Sequence, residues 1–457
     1  TLDQILTKKD YSRKTPASLF YKDSPLWQKL LTIGCVVFLS VAGLGEWKVL
    51  NGMLGGLPKA ITLGVIGLAM LYTLFYPDEK RLREIWKPTL LYMSLMAVLF
   101  FWSVVIWVES FATVSSMIRS CSKLVFQSIA ILTAVALVYL FREKAIELFT
   151  ISICITNGAI MLLCIPEYGV GASIQSLVTC LVTFGDAVGY ARQLEIHDLT
   201  FVFGQMILYY AVFAPRTTRQ EKRKRWLYLL LCCWFFLVGM KRSAIPAVLL
   251  FILIGLLLRK RKVSGRLYPA VGVCCILFFL VFLYCVRYGI ISRLLNSFGI
   301  DMMGRDYLWS MANPYYEFSV TYLGHGFEYV DTIISQWYDA GLINQPFPFH
   351  NDILKVFVEM GFPGFLLWSG IQYVLTPLFW QRYADQQTAL LYMCELGYMT
   401  VTYLTDNTAF YFWSAMALRL VPLAYAMERK KPPEPKVWMP DSRQEMRDRI
   451  RILMQEG

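Results

Sequence analysis

Residues 267–286 read LYPAVGVCCILFFLVFLYCV, twenty residues without a charged side chain, and at Arg287 the chain turns polar. At about 1.5 Å per helical residue, such a run spans the ~30 Å hydrocarbon core of a bilayer. Eleven further apolar runs surround it: 30–45, 57–76, 88–108, 124–141, 145–165, 199–214, 226–240 and 243–258 before it, and 363–380, 388–404 and 408–427 after it. Of the 457 residues 57% are hydrophobic and 17% charged, where a soluble domain is nearer half apolar and a quarter charged. The pattern predicts an all-α polytopic membrane protein with about twelve transmembrane helices. Residues 1–29 form an N-terminal segment and 30–286 hold spans one to nine. Residues 287–362 are one large polar loop, 363–427 hold spans ten to twelve, and 428–457 are a tail.

Lys and Arg set the orientation, because basic residues stay on the cytoplasmic side. One set of connections is strongly basic: the N-terminal segment (Lys8, Lys9, Arg13, Lys14, Lys22), Lys80 to Arg83, Arg142 to Lys144, six basic residues from Arg216 to Arg225, five from Arg259 to Arg266, and Arg429 to Lys431. The alternate connections read as nearly free of them. Both termini are therefore expected in the cytoplasm and the 287–362 loop outside. The net charge of +12 belongs to inner loops, which argues against a nucleic-acid surface. A second outward loop, 166–198, has an amphipathic part, 173–190, suited to lying along the interface. The chain begins at Thr1, so an initiator Met is missing, and no signal peptide is visible in the first ~25 residues. Most of the eleven cysteines sit inside apolar runs, with no C-x-x-C and no zinc spacing, so neither a disulfide framework nor a metal is predicted. Glu395 and Arg419, on adjacent spans, are expected to pair.

The 287–362 loop holds four Lys/Arg, eight Asp/Glu and two of the three histidines. The run from His350 to Gly361 predicts a short helix capped by Asn351 or Asp352 and stopped by Gly361 and Pro363. At the helix start the dipole disfavours a cation by ~0.3–1 kcal/mol. A neutral His350 there reads as a general base or as a residue that only caps or packs. Lys241-Arg242, at an outer turn before Ser243-Ala244, reads as a phosphate fork or as a pair reaching the headgroups. Arg305, between Gly304 and Asp306, reads as a ligand for anions or as half of a salt bridge. Tyr307 and Trp309, among many loop aromatics, suit sugar stacking or an interfacial belt. His325, between Gly324 and Gly326, reads as a turn residue.

Taken in order, Arg242-Ser243-Ala244, Gly304-Arg305, Gly324-His325-Gly326-Phe327 and His350-Asn351-Asp352-Ile353-Leu354 leading to Glu359-Met360-Gly361-Phe362-Pro363-Gly364 resemble the bacterial O-antigen ligase and Wzy polysaccharide polymerase superfamily. The likeness covers about 226–370; Lys241 and His325 depart from the usual pattern. It implies a GT-C-like fold in the bacterial inner membrane, with the site facing outward. It also implies inverting transfer of a glycan from an undecaprenyl-pyrophosphate carrier, without metal or cofactor. By that likeness Arg242 and Arg305 hold the pyrophosphate, aided by Lys241, and His350 deprotonates the acceptor. Asp352 or Asp306 orients the base or a sugar, and Asp352, Tyr307 and Trp309 are the expected substrate contacts. The expected role is polymerase, with ligase-type transfer to a lipid, protein or wall acceptor as the alternative. A flippase of lipid-linked sugars is the rival class; it calls for an internal repeat and a polar path, and neither is seen. A separate flippase, a chain-length regulator and membrane lipid are the implied partners, with no nucleic acid.

Overall fold

A computed structural model describes residues 26–110, 113–183, 187–299, 302 and 304–429. The basic residues Lys8 to Lys22 and the tail from Lys430 lie outside the described residues. Every regular element described is helical. In chain order they are α1 (Leu26–Leu44), α2 (Lys48–Leu54), α3 (Leu63–Phe75), α4 (Glu79–Ser110), α5 (Val114–Phe141), α6 (Ala145–Tyr168), α7 (Val170–Thr183), α8 (Tyr190–Gln193), α9 (His197–Leu208) and α10 (Arg219–Val238). They continue as α11 (Ala244–Leu258), α12 (Leu267–Arg287), α13 (Ile290–Ser297), α14 (Arg305–Ala312), α15 (Tyr329–Asp339), α16 (Asp352–Gly370), α17 (Thr376–Tyr383), α18 (Gln386–Thr405) and α19 (Phe412–Arg429).

Side-chain caps start several of these helices where the sequence provides them. Thr218 and Glu221 form a reciprocal capping box at α10, and Asp385 accepts from Thr388 N at 2.8 Å to start α18. The middle of the bundle is α19. Every residue from Phe412 to Met427 is buried, and the helix packs against α5, α9 and α18. Its first turn is held by Asp198 of α9, which accepts from Trp413 N at 2.8 Å and Ser414 N at 2.9 Å.

Six helical segments are long and apolar enough to cross a membrane: Leu26–Leu44, Leu57–Phe75, Glu79–Ser110, Val114–Tyr168, Leu267–Arg287 and Asp352–Tyr383. The expected count of twelve is therefore met only in part by length and hydropathy. Several remaining runs form shorter or more polar helices, such as α11 and α18. The amphipathic stretch appears as α7, with Val170, Ile174, Val178 and Val182 exposed along one face.

One expectation fails inside the bundle. Glu395 and Arg419 do not pair: both carboxyl oxygens of Glu395 lack a hydrogen-bond partner, and Arg419 donates to the Ala415 carbonyl at 3.3 Å. Neighbouring spans in sequence do not by themselves bring two side chains to one helix face.

Candidate active site

His350 ends the loop that enters α16. Its backbone is left-handed, at φ +51°, which is uncommon for a residue with a Cβ. Two hydrogen bonds lace this turn to the 406–411 connection between α18 and α19. His350 N donates to Asn407 Oδ1 at 2.9 Å, and Ala409 N donates to Asp352 Oδ2 at 2.7 Å. Of the two expected caps Asn351 does the work, accepting from Leu354 N at 3.0 Å. The lacing sets His350 Nδ1 3.5 Å from Asp406 Oδ1, close but without hydrogen-bond geometry, and catalytic hydrogen bonds often align only when substrate binds. The same Asp406 oxygen accepts from Asn407 N at 2.9 Å and Tyr411 Oη at 3.3 Å. Lys241 Nζ lies 3.9 Å from Asp406 Oδ2 and 3.0 Å from Glu195 Oε1. Burial alone pushes Asp406 up, but the nearby His350 ring and the Lys241 charge outweigh it and bring its pKa down to about 2. Asp406 is thus a carboxylate at neutral pH, placed to hold a proton on Nδ1 and leave Nε2 free.

The glycine motifs explain how the 287–362 loop reaches this turn. Helix α16 breaks at Gly361, where φ is +65° and ψ −172°, a conformation essentially reserved for glycine. The helix resumes after the break and runs to Gly370, past the expected stop. Against the break lies the 322–326 segment. Phe362 N donates to the Tyr322 carbonyl at 2.8 Å, and His325 N and Gly326 N donate to the Glu359 carbonyl at 3.0 and 2.7 Å. A Cβ on Gly361 would stand 2.2 Å from Leu323 C, and one on Gly324 2.4 Å from the Glu359 oxygen, so backbone meets backbone there. His325 serves as a turn residue, stacking on Tyr329 with ring centroids 4.2 Å apart.

A buried charge cluster fixes α15 to α16. Lys355 Nζ sits 2.7 Å from Asp331 Oδ2, 3.2 Å from Glu328 Oε1 and 3.9 Å from Glu359 Oε1. Glu359 also accepts from Val330 N at 3.1 Å. Burial raises both acids of the loop. For Asp331 the Lys355 charge overturns that and holds the carboxyl well below its usual range, while Glu328 stays raised.

Arg305 is the first residue of α14, after Gly304 at φ +78°. It forms no ion pair with Asp306, and among the described residues its guanidinium has no hydrogen-bond or ion-pair partner. A cavity of about 450 Å³ is lined by Arg305, Tyr307, Asn344, Phe347 and His350. A larger one, about 650 Å³, shares Phe347 and His350 and continues along Lys48, Lys59 and Lys123.

The other expected site residues divide between cavity wall and support. Tyr307 is exposed on the wall. Trp309 is buried and donates from Nε1 to the Phe349 carbonyl at 3.0 Å, so it steadies the residue before His350 and offers no stacking face. Asp352 is buried beneath the turn, its Oδ2 accepting from Ala409 N, and acts on His350 through the backbone. At the 239–243 turn Arg242 is exposed and lines neither cavity, while Lys241 is the cation joined to Asp406. Asp406 was not anticipated. The available signal was an acid with Asn407 in the short connection after run 388–404. Nor is the end of the bundle that carries His350 as poor in cations as expected, since Lys48, Lys59 and Lys123 line the cavity there and Lys48 Nζ donates to the Arg192 carbonyl at 3.0 Å. Among the described residues no three His, Cys, Asp or Glu cluster as metal ligands would.

Residues 227–369 match a family model, Wzy_C, described as O-antigen ligase. The matched stretch nearly coincides with the 226–370 region that carries the motifs. It contains Lys241, Arg242, Arg305 and His350; Asp406 and the three cavity lysines fall outside it. No curated protein matches the chain.

Proposed function

We propose that this chain, with its O-antigen ligase family domain at 227–369, is a polysaccharide polymerase that moves a glycan from an undecaprenyl-diphosphate carrier onto a lipid-linked acceptor. O-antigen ligase or polymerase-type glycan transfer in a multi-pass membrane protein is the family-level part of that statement. The observation that carries the reading is the opening of the Asp406–His350 pair into the cavity lined by the unpartnered Arg305.

The chemistry needs a base on one side of the anomeric carbon and positive charge on the other. The acceptor hydroxyl gives its proton to His350 Nε2 as its oxygen bonds to the anomeric carbon. The bond from that carbon to the diphosphate oxygen breaks, and its electron pair leaves with the diphosphate. Attack opposite the leaving group inverts the configuration. Asp406 stabilises the imidazolium that forms. Arg305 meets the charge growing on the diphosphate, with its fork geometry matched to phosphate oxygens. Lys241, and Arg242 exposed on the same turn, add positive potential.

Twelve crossings in a GT-C-like arrangement remain our reading of the membrane topology. The 55-residue Val114–Tyr168 segment, more than twice the ~20 residues a crossing needs, is broken at Arg142–Lys144. Helices α18 and α19 are buried among other helices, and their polar residues keep them below the hydropathy of a lipid-facing span. The basic connections support a cytoplasmic inner end, leaving His350 on the outer face of the bacterial inner membrane. The test is a reaction of the purified full chain in nanodiscs with a polyprenyl-diphosphate oligosaccharide. Longer lipid-linked chains are the expected product. Unchanged substrate, or a rate unaffected by His350→Ala, overturns the proposal.

A further inference from the structure

The larger cavity is not used by the chemistry above. It is built mostly by the N-terminal half of the chain, with the 410–412 segment, and meets the Arg305 cavity at Phe347 and His350. Its charges are unevenly committed. Glu46 is taken by Lys59 at 3.0 Å, Glu195 by Lys241 at 3.0 Å, and Asp198 by the first turn of α19. Two cations remain. Lys48 is exposed and donates only to the Arg192 carbonyl. Lys123 is half-buried on α5 and makes no hydrogen bond or ion pair among the described residues. Glu328, Asp331 and Asp352 feel its charge, yet none of them closes on it as an ion pair, so its ammonium keeps donor capacity that a bound anion can take. Phe126, Phe410 and Tyr411 add apolar walls of the kind that stack on sugar rings.

We infer that this cavity is the acceptor subsite and that Lys48 and Lys123 bind a diphosphate on the acceptor. The acceptor is then a second lipid-diphosphate-linked glycan, held on one side of His350 while the donor occupies the Arg305 side. This rests on the proposed transfer at His350 and Arg305 and adds to it where the second substrate sits and what marks it. A ligase acting on an uncharged acceptor has no use for two cations held outside any ion pair at this position.

Equilibrium binding of radiolabelled polyprenyl diphosphate to the full chain in nanodiscs tests the inference. The expected stoichiometry is two per chain for the wild type, one for a Lys48→Gln/Lys123→Gln variant, and one for Arg305→Gln. A single wild-type site that Arg305→Gln removes and the lysine changes spare overturns the second subsite and leaves the transfer reading intact. Loss of binding in the lysine variant alone, with Arg305→Gln unaffected, instead overturns the donor assignment and, with it, this inference. In the transfer assay the lysine changes are expected to raise the acceptor KM about 10–100-fold, the size of losing hydrogen bonds to a charged group, and to leave the donor KM in place. The wild type is expected to use the same glycan stripped of its lipid diphosphate equally poorly, even where its sugars carry phosphate. Equal use of the stripped and lipid-linked acceptors overturns the inference.

Discussion

The two ends of the helix bundle treat charge differently. At the end carrying the basic connections, the half-buried cations are matched, while exposed ones such as Lys80, Lys222 and Arg223 are left to solvent. Arg142 pairs with Glu84 at 3.0 Å and Lys224 with Glu147 at 2.8 Å, and Arg429 pairs with Asp385. Arg216 and Arg225 close on the carbonyls that end the α9 segment, with Arg216 Nη2 2.7 Å and Arg225 Nη2 3.1 Å from Ala211 O, as expected where a helix presents its negative end. At the opposite end the half-buried Arg305 and Lys123 line cavities with no hydrogen-bond or ion-pair partner among the described residues. Matched cations orient and fasten a membrane protein, whereas unmatched ones facing a cavity are available to a ligand. The difference separates structural charge from working charge without reference to any relative.

Mutations can break that contrast. The largest effect is expected at His350: His350→Ala should lower the transfer rate by about 10²–10⁴, the usual contribution of a positioned base, with membrane expression unchanged by immunoblot. Arg305→Ala should cost about 10²–10³, the loss of one charge-stabilising donor, and appear mainly in kcat. A rate within twofold of wild type would make Arg305 as structural as the matched cations at the other end.

Next come changes read as stability. Gly361→Ala should destabilise by about 1–3 kcal/mol from the backbone conformation alone, before the contact with Leu323 is counted. Thermal unfolding in detergent measures it, and an unchanged Tm would show that the break can relax. Asp406 has a folded pKa of about 2, below the ordinary value of ~3.9. As pH falls the unfolded chain takes up the proton first, so the stability Asp406 contributes is present above the unfolded value and lost as pH drops through about 2. Asp406→Asn should therefore be less stable than wild type at pH 7, with the gap closing toward pH 2, followed by tryptophan fluorescence during denaturation. The smallest effect is expected from the end with the basic connections. Lys224→Gln should cost no more than about 1 kcal/mol and leave transfer kinetics unchanged. A large activity loss there would erase the distinction between the two ends.

Much of the site was legible because its parts are local. His350 at a helix start, the asparagine cap, the break at Gly361 and the turn at His325 each follow from a few adjacent residues. Arg305 was legible as an arginine inside an acidic outer loop. What escaped depends on side chains distant in sequence. Asn407, which holds the His350 backbone, lies 57 residues further on, and Asp406 precedes it. Lys241 could not be told from Arg242 as the cation nearer the base, since adjacent residues in a turn point different ways. Trp309 and Tyr307 looked alike as sequence, yet one is buried and the other lines the cavity.

From the chain alone come the apolar spans, the basic side and the one large polar loop, because hydropathy and the charge bias act segment by segment on the partition between lipid and water. Packing alone decided which charges share a cavity with His350, that Glu395 and Arg419 stay apart, and that three lysines of the N-terminal half reach a site whose motifs lie in the C-terminal half. Those outcomes depend on the rotation and depth of each helix against its neighbours, which residues far apart along the chain determine together.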